Sequence, residues 1–259
     1  MTPTSVRIKG GRSPKANTSS GTHEAVAELI LRHGGGKVLD APCGEGALAW
    51  RLAQRGCEMW CLDCDAGVPR IEGVEFHVGD LQQRLPYDDG CFDCVACVDG
   101  IEHLENPFHV IREFGRVLRP GGLLVVSTPN VSSIRSRFRF LMSGFHSKFK
   151  RPPDEAKPSP RHHLAPISFP WLRYMLHTNG FRIRAARANR VKLASLPFAV
   201  LYPVSALYAA LSFARNDDPA RRRRDWEVFR TLFSAAVFFG ETLIVAAEKL
   251  GVADRGAGP

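Results

Sequence analysis

The chain has 259 residues, of which 44% are hydrophobic, and it carries 35 Lys and Arg against 26 Asp and Glu, a formal charge of +9. Its length fits one α/β domain with insertions, and its composition excludes a wholly disordered or fibrous chain. The positive charge indicates an anionic partner, which could be a phosphate-bearing substrate, a membrane surface or nucleic acid. Residues 1–21 form no apolar run, so we predict a disordered tail and a cytoplasmic protein.

The next segment predicts alternating helices and strands. Thr22 is a candidate helix cap, and apolar residues at 26, 29 and 30 form one stripe before the glycines at 34–36. A strand at 37–40, a helix at 47–55 and a strand at 58–63 follow. This order predicts parallel strands joined by a right-handed crossover.

Further strands are predicted at 74–78, 92–98, 123–127, 181–191 and 242–247. Asn106 caps a helix with Pro107 at its first position, and the Pro-Gly-Gly sequence at 120–122 is expected to end it. Another helix is expected at 169–178. The pattern predicts an α/β protein with a Rossmann-like, doubly wound sheet of seven strands.

Seven cysteines occur at positions 43, 57, 61, 64, 91, 94 and 97. Those at 57, 61 and 64 have the bare spacing of an iron–sulfur motif, but residues 59–62 have the pattern of a buried strand. Alternation along the strand at 92–98 sends Cys94 and Cys97 to opposite faces. We therefore predict reduced core thiols and no metal site.

The most informative motif runs from Val38 to Gly46, a strand that leads into a glycine-rich turn and a helix. Such a turn lets backbone N–H groups approach a ligand at a positive helix N-terminus. Gly44, Gly46 and Ala49 also fit the loose dinucleotide fingerprint. However, the sequence from Asp40 to Gly46 resembles the D-x-x-C-G-x-G signature of class I S-adenosylmethionine-dependent methyltransferases, with Pro42 where many members have glycine.

Later motifs extend this resemblance. Asp63 ends the second strand, and Gly79-Asp80-Leu81 follows the third. The sequences at 92–93, 102–104 and 119–122 complete the similarity to the group that includes the ubiquinone-biosynthesis O-methyltransferases. The resemblance covers residues 37–130 well and 160–190 loosely. One departure is that only residues 65–73 remain for the helix expected between the second and third strands.

The resemblance implies S-adenosylmethionine as the cofactor. It implies that Asp63 accepts from the ribose hydroxyls and that Asp80 and Leu81 contact the adenine. The full set of expected cofactor contacts is Asp40, Cys43, Gly44, Gly46, Asp63, Asp80, Leu81 and Asp99.

Methyl transfer from a sulfonium needs a base only when the acceptor atom carries a proton. His103 follows the fourth strand. His163 lies five residues before Ser168, in a stretch that resembles the family's His-x₄-Ser/Thr-Phe pattern. Both are candidate catalytic bases, and either could instead be a packed or pocket-lining histidine.

Residues 131–170 carry eight Lys or Arg, interleaved with the phenylalanines at 138, 140, 145 and 149. We predict a mobile lid over the substrate, with an RNA-binding surface or a solvated loop as alternatives. The sequence at 99–102 lacks the Pro-Pro-aromatic turn of nucleic-acid amino-methylating enzymes, which disfavours a nucleic-acid substrate.

Residues 193–214 contain no charged side chain and precede four consecutive arginines at 221–224. This length would suit a bilayer span, but the strand at 242–247 must return to the sheet. We predict that residues 193–224 make peripheral contact with an anionic membrane on its inner face. Homodimerisation through this segment and a simple helical cover are alternatives.

We expect O-methylation of a small lipid-like or lipid-linked acceptor. An N-methyltransferase, an RNA methyltransferase and a non-catalytic S-adenosylmethionine-binding partner protein are the alternatives. The predicted organisation is a tail at 1–21, a cofactor-binding core at 22–130, a lid at 131–170, a helix and strand at 171–192, an insertion at 193–224, a final helix and strand at 225–249, and a tail at 250–259.

Overall fold

The computed structural model describes residues 14–67, 71–149, 151–215 and 217–251. The strands are β1 Lys37–Asp40, β2 Glu58–Asp63, β3 Val74–Val78, β4 Phe92–Val98, β5 Leu118–Pro129, β6 Phe181–Ala188 and β7 Thr242–Lys249. The α-helices are α1 Thr22–Arg32, α2 Ala47–Ala53, α3 Pro107–Val117, α4 Ile134–Ser143, α5 Phe169–Thr178, α6 Tyr202–Ala214, α7 Pro219–Leu232 and α8 Ala235–Phe239. Two 3-10 segments occupy Ile101–His103 and Leu193–Leu201.

The seven strands form one sheet in the order β3-β2-β1-β4-β5-β7-β6. Pairing is parallel from β3 to β5, whereas β7 lies antiparallel to both of its neighbours. This arrangement confirms the predicted doubly wound sheet. Because β2, β1 and β4 are adjacent and parallel, their carboxyl ends lie side by side at one edge, where ligands bind in open α/β sheets.

Alternation along β4 divides the core into two layers. Cys97 packs in a layer with Phe114 of α3 and Phe169 of α5, while Cys94 packs in the other layer with residues of α1 and α2. This confirms that the two thiols face opposite sides of the sheet. All seven cysteines are free, as predicted, but Cys64 is exposed and Cys91 is half-buried, so the prediction of core thiols is wrong for Cys64.

Several element boundaries differ from the sequence prediction, among them the ends of α2, β5 and β7, which lie at residues 53, 129 and 249 instead of 55, 127 and 247. Gly21, at φ +84°, occupies the cap position of α1, and Thr22 is already helical, its hydroxyl donating to the Ser19 carbonyl. Strand β5 begins at Leu118, directly after α3, because Leu118 pairs with Phe92 across a register irregularity. Strand β6 ends at Ala188, three residues early, and only an isolated bridge extends the pairing to residue 191.

Some of the predicted segment boundaries do not coincide with the observed structure. Residues 1–13 and 252–259 of the predicted tails lie outside the described residues, as do 68–70 of the connection between β2 and β3. The end of the predicted N-terminal tail packs against the body, since Asn189 Nδ2 donates to the Ser20 carbonyl at 3.0 Å. Helix α7 runs across the boundary predicted at residue 224.

The side chain of Asn130 links the end of β5 to α8 by hydrogen bonds. It is buried, and its side-chain amide donates to the carbonyls of Val237 and Gly240 at 2.8 and 3.0 Å. Asn130→Ala removes both donors, so we expect the free energy of unfolding in urea to fall by about 1–3 kcal/mol. Asn17→Ala, at an exposed asparagine, is the control and should cost less than about 0.5 kcal/mol. Equal losses in the two variants would contradict this role.

Candidate active site

The glycine-rich turn after β1 has an open side and a covered side. Gly44 has φ +51°, and a Cβ built there meets no atom within 4 Å. Its N–H donates to Asp63 Oδ2 at 2.8 Å. Gly46 has φ +76° and begins α2, and a Cβ there would overlap the side chain of Ile71. A ligand can therefore approach the backbone at Gly44, whereas the end of the Ile71 side chain covers Gly46.

Three carboxylates end the adjacent strands around this turn. Asp40, at the end of β1, is 2% exposed, and burial raises its pKa to about 8. Asp63, at the end of β2, accepts from the N–H groups of Gly44 and Asp65. Asp99 follows β4 at φ +46°, a strained conformation for a residue with a side chain.

The strain at Asp99 is compensated by Ser127 on the neighbouring strand β5. The Ser127 hydroxyl donates to Asp99 Oδ1 at 2.7 Å, and the Asp99 N–H donates to the Ser127 carbonyl at 3.1 Å. Burial raises the pKa of Asp99, while the bond from Ser127 opposes that rise. The carboxylate is therefore fixed at the edge of the sheet.

These groups fit S-adenosylmethionine. Asp40 Oδ2 is buried and has no hydrogen-bond partner among the described residues, which leaves a carboxyl oxygen free to hydrogen-bond a polar group of the ligand. Each oxygen of Asp63 accepts one backbone bond and keeps a lone pair for a ribose hydroxyl. Gly44, which has open space beside it, lies between Asp40 and Asp63 in the sequence, and its N–H donates directly to Asp63.

The remaining predicted cofactor contacts are placed as follows. Cys43 is buried, and its N–H donates to the Leu62 carbonyl at 3.1 Å. Asp80 is exposed after β3, with Oδ1 accepting from the Gln82 N–H. The Leu81 side chain packs into the core, so only its backbone is available to an adenine ring.

The two predicted catalytic histidines meet although they are 60 positions apart. The ring centroids of His103 and His163 are 4.6 Å apart. His103 Nδ1 lies 2.9 Å from the His162 carbonyl, and His163 Nδ1 lies 3.1 Å from the Lys148 carbonyl. Since a carbonyl only accepts, each Nδ1 carries a hydrogen, so in the neutral form of either ring Nε2 is the nitrogen with the lone pair. Burial lowers the pKa of His103, which favours this neutral form.

Glu102 is the residue that the sequence analysis missed. It is fully buried, and neither carboxylate oxygen makes a hydrogen bond of ordinary geometry among the described residues, although the buried Thr128 hydroxyl is close enough to lower its pKa against the effect of burial. Its ligand atom and those of His103 and His163 lie within 4.8 Å of one another. Burial, together with the charge of Asp99, raises the pKa of Glu102 to about 8. The only signal in the sequence was an acidic residue directly before a histidine at the end of a strand.

Backbone bonds hold part of the predicted lid against this cluster. The N–H groups of Leu164 and Ala165 both donate to the Glu102 carbonyl, at 2.8 and 2.9 Å. His163 is therefore positioned by its neighbours in the chain as well as by its own ring bond. Any motion of the lid would have to break these bonds or lie outside residues 162–165.

A cavity of about 760 Å³ lies away from these groups. It is lined at the amino-terminal edge of the parallel strands by Asp89, Arg112, Arg116 and the start of β6. None of the predicted site residues lines it. The candidate site is therefore the opposite edge, around Gly44.

Comparison with known proteins agrees with this geometry. Residues 39–126 match the family model of a methyltransferase domain. A ubiquinone biosynthesis O-methyltransferase from Xanthomonas oryzae pv. oryzae is 33% identical over 105 residues, which are 37% of this chain and 44% of that protein. The chain thus spans less than half the length of this curated relative.

Solved structures share the fold. The methyltransferase in complex with the Trm112 activator of Haloferax volcanii has a TM-score of 0.55 at 18% identity, covering 89% of this chain and 90% of that one. A SAM-dependent methyltransferase from Archaeoglobus fulgidus has a TM-score of 0.52 at 19% identity, covering 88% and 95%. Residues 39–126 are therefore similar to a methyltransferase domain, and the chain shares the fold of solved S-adenosylmethionine-dependent methyltransferases. Over that domain it is similar to the ubiquinone biosynthesis O-methyltransferases.

The open space at Gly44 is testable with a matched pair of variants. Gly44 and Gly56 both have positive φ and both have no atom within 4 Å of a built Cβ. Gly44→Val and Gly56→Val should therefore lose similar stability from backbone strain. Only Gly44→Val should weaken S-adenosylmethionine binding in calorimetry, by about tenfold or more, which is about 1.4 kcal/mol. Unchanged affinity in Gly44→Val would remove the turn from the cofactor site.

Proposed function

We propose that this protein transfers the methyl group of S-adenosylmethionine to an oxygen of a small lipid-like or lipid-linked acceptor. The observation that carries the proposal is the open turn at Gly44 between Asp40 and Asp63, with a histidine pair just beyond the neighbouring strand. The similarity to ubiquinone biosynthesis O-methyltransferases supports oxygen as the acceptor atom.

The cofactor supplies an electrophilic methyl group on a sulfonium. As the acceptor oxygen bonds to the methyl carbon, the carbon–sulfur bond breaks, the sulfur keeps its electron pair, and the acceptor must release a proton. When the cofactor is bound, Asp63 would hold its ribose hydroxyls, and the unpartnered oxygen of Asp40 would hydrogen-bond the same ligand. His103 and His163 handle the acceptor proton, because each has an Nε2 lone pair and sits beside the other.

We expect His103→Ala and His163→Ala to lower kcat by about a hundredfold or more while leaving S-adenosylmethionine affinity unchanged. A histidine that acts as a base works in its neutral form. Because burial lowers the pKa of His103, the rate should rise with pH and reach its plateau at a pH below about 6.5, the ordinary histidine pKa. If both variants kept full turnover, neither histidine would act as a base, and the protein would promote methyl transfer only by positioning the acceptor against the methyl group. Retained cofactor binding with no turnover in the parent would favour a non-catalytic binding protein.

A second part of the proposal concerns the apolar segment Leu193–Ala214. It is the one stretch among the described residues that is long and apolar enough to cross a membrane, and none of its most apolar window is buried. Leu193, Val200 and Tyr208 are 83, 74 and 77% exposed. Burial of such a surface in a bilayer interface is favourable at roughly 25 cal/mol per Å². We infer that this segment contacts a membrane.

The topology favours peripheral contact over a span. Strand β7 pairs with both β5 and β6, so the chain returns to the sheet after the segment. Two helices lie between the apolar segment and β7. These are α7, with four exposed arginines at 221–224, and α8, which has five residues. Neither can form a second span, whereas exposed arginines beside an apolar surface suit an anionic lipid interface.

The apolar surface continues onto the predicted lid. Phe138 of α4 contacts Phe198, with ring centroids 5.1 Å apart, and Phe140, Leu141 and Met142 are also exposed. The lid segment and the membrane segment therefore share one surface. This continuity supports an acceptor that is delivered from a membrane.

Changing the four arginines at 221–224 to Gln should weaken binding to phosphatidylserine-containing vesicles by about tenfold or more, because each contributes about 1 kcal/mol near an anionic surface. High salt should mimic this loss in the parent. Arg55→Gln with Arg84→Gln, at two exposed positions of the cofactor domain, is the control. The segment would instead belong to a subunit interface if the parent protein did not bind vesicles but changed from dimer to monomer when Leu193–Ala214 was replaced by a Gly/Ser linker.

A further inference from the structure

We propose that Lys148, Arg190 and Lys192 bind an anionic group of the methyl acceptor, a carboxylate or a phosphate, and this inference rests on the proposed function. The three side chains converge on Glu241 from two distant segments, the predicted lid and the connection after β6. Lys192 Nζ and Arg190 Nε lie 2.6 and 2.7 Å from its carboxylate oxygens, and Lys148 Nζ lies at 3.7 Å. We call these three residues the cation cluster.

The cation cluster carries more charge than its carboxylate neutralises. Burial alone would raise the pKa of Glu241, but the hydrogen bonds from Lys192 and Arg190 lower it below the ordinary value, so the group is ionised at neutral pH. Three positive charges against one negative charge leave an excess of two, and like charges this close repel one another. A phosphate monoester, with a charge of about −1.5 to −2, would offset that excess, and a carboxylate would offset half of it.

The cluster lies at the cofactor edge of the sheet, beside the histidine pair. The Glu241 carbonyl accepts from the N–H of Asn130, directly after the carboxyl end of β5. The Lys148 carbonyl is the partner of His163 Nδ1, at 3.1 Å. Burial has the largest influence on the pKa of Asp99, but the charges of Lys148 and Glu241 also act on it. An anion on the cluster would therefore adjoin the place where the acceptor hydroxyl reacts.

Lys148 is the member whose position a structural role explains least. Its Nζ is 3.7 Å from Glu241, beyond hydrogen-bond range, and Glu241 already has two shorter ion pairs. Its backbone has φ +76°, an uncommon conformation for a residue with a side chain, and such strain is often found at ligand-binding sites. The side chain is 44% exposed and donates to Ser19 Oγ at 3.2 Å. A ligand can therefore reach the ammonium group.

The cluster also adjoins the apolar segment. Lys192 directly precedes Leu193–Ala214, and its carbonyl accepts from the Ser195 N–H at 2.8 Å. An acceptor whose apolar chain lay on this segment would therefore bring its polar end to the cations. Charge-assisted hydrogen bonds from Lys and Arg are among the strongest that a carboxylate or phosphate makes. The acceptor is thus an anionic amphiphile with its reacting hydroxyl near the charged end.

The test is calorimetric titration of the full-length protein, saturated with S-adenosylhomocysteine, with monomeric decyl phosphate, with decanol and with inorganic phosphate. Decyl phosphate should bind at least tenfold more tightly than either of the others. Lys148→Gln should weaken decyl phosphate binding by about tenfold or more, since it removes one hydrogen bond to a charged group. Lys148→Arg should keep the affinity. Arg151→Gln with Lys157→Gln, at exposed cations of the same lid, is the control and should bind like the parent.

S-adenosylhomocysteine affinity, measured on the same samples, reports whether each variant is folded, and Lys192→Gln is the second variant if Lys148→Gln fails to fold. The site would be overturned if Lys148→Gln bound decyl phosphate as tightly as the control variant, or if the parent bound decanol equally well. Binding of decyl phosphate without methyl transfer to any acceptor would support the cluster and count against the proposed function.

Vesicle binding distinguishes the acceptor's own anion from the headgroups of surrounding lipids. If the cluster binds the acceptor, Lys148→Gln should bind phosphatidylserine-containing vesicles like the parent. A loss as large as that caused by changing the arginines at 221–224 would make the cluster a lipid contact, and the proposed acceptor site would be wrong.

Discussion

The hydrogen bond from the Gly44 N–H to Asp63 Oδ2 is the contact on which the cofactor edge of this protein depends. It ties the turn after β1 to the end of β2, and it forms at a backbone φ of +51° that favours glycine. It also keeps Asp63 turned towards the turn instead of towards solvent. With the turn held in this way, the buried Asp40 and the N-terminus of α2 lie on either side of Gly44 in the chain, where a built Cβ meets no atom within 4 Å.

A second set of contacts adds the acceptor side to this edge. Strand β4 runs next to β1, and the 3-10 turn that follows it carries Glu102 and His103. The Glu102 carbonyl then holds residues 164 and 165, which brings His163 to His103. The exposed apolar faces of α4 and Leu193–Ala214 adjoin through Phe138 and Phe198. Three features therefore adjoin one another in this order: the cofactor edge, the histidine cluster and the apolar surface.

The sequence predicted local structure better than it predicted the site. Strands β1 to β4 have their predicted bounds because each is a short apolar run with glycine or aspartate at its ends. The start of β5 was wrong because the pairing of Leu118 with Phe92 overrides the turn preference of Pro-Gly-Gly. The cap at Thr22 was wrong because Gly21 takes the left-handed conformation. The burial of Glu102 could not be predicted, since it depends on a segment 60 residues away.

The most direct measurement is a crystal structure of the protein with S-adenosylhomocysteine. The account predicts the ligand across Gly44, with its ribose hydroxyls within hydrogen-bonding distance of Asp63 and its sulfur directed towards the side that carries Glu102 and His103. A ligand bound instead in the cavity beside Arg112 and Arg116, or one at Gly44 whose ribose does not contact Asp63, would contradict it.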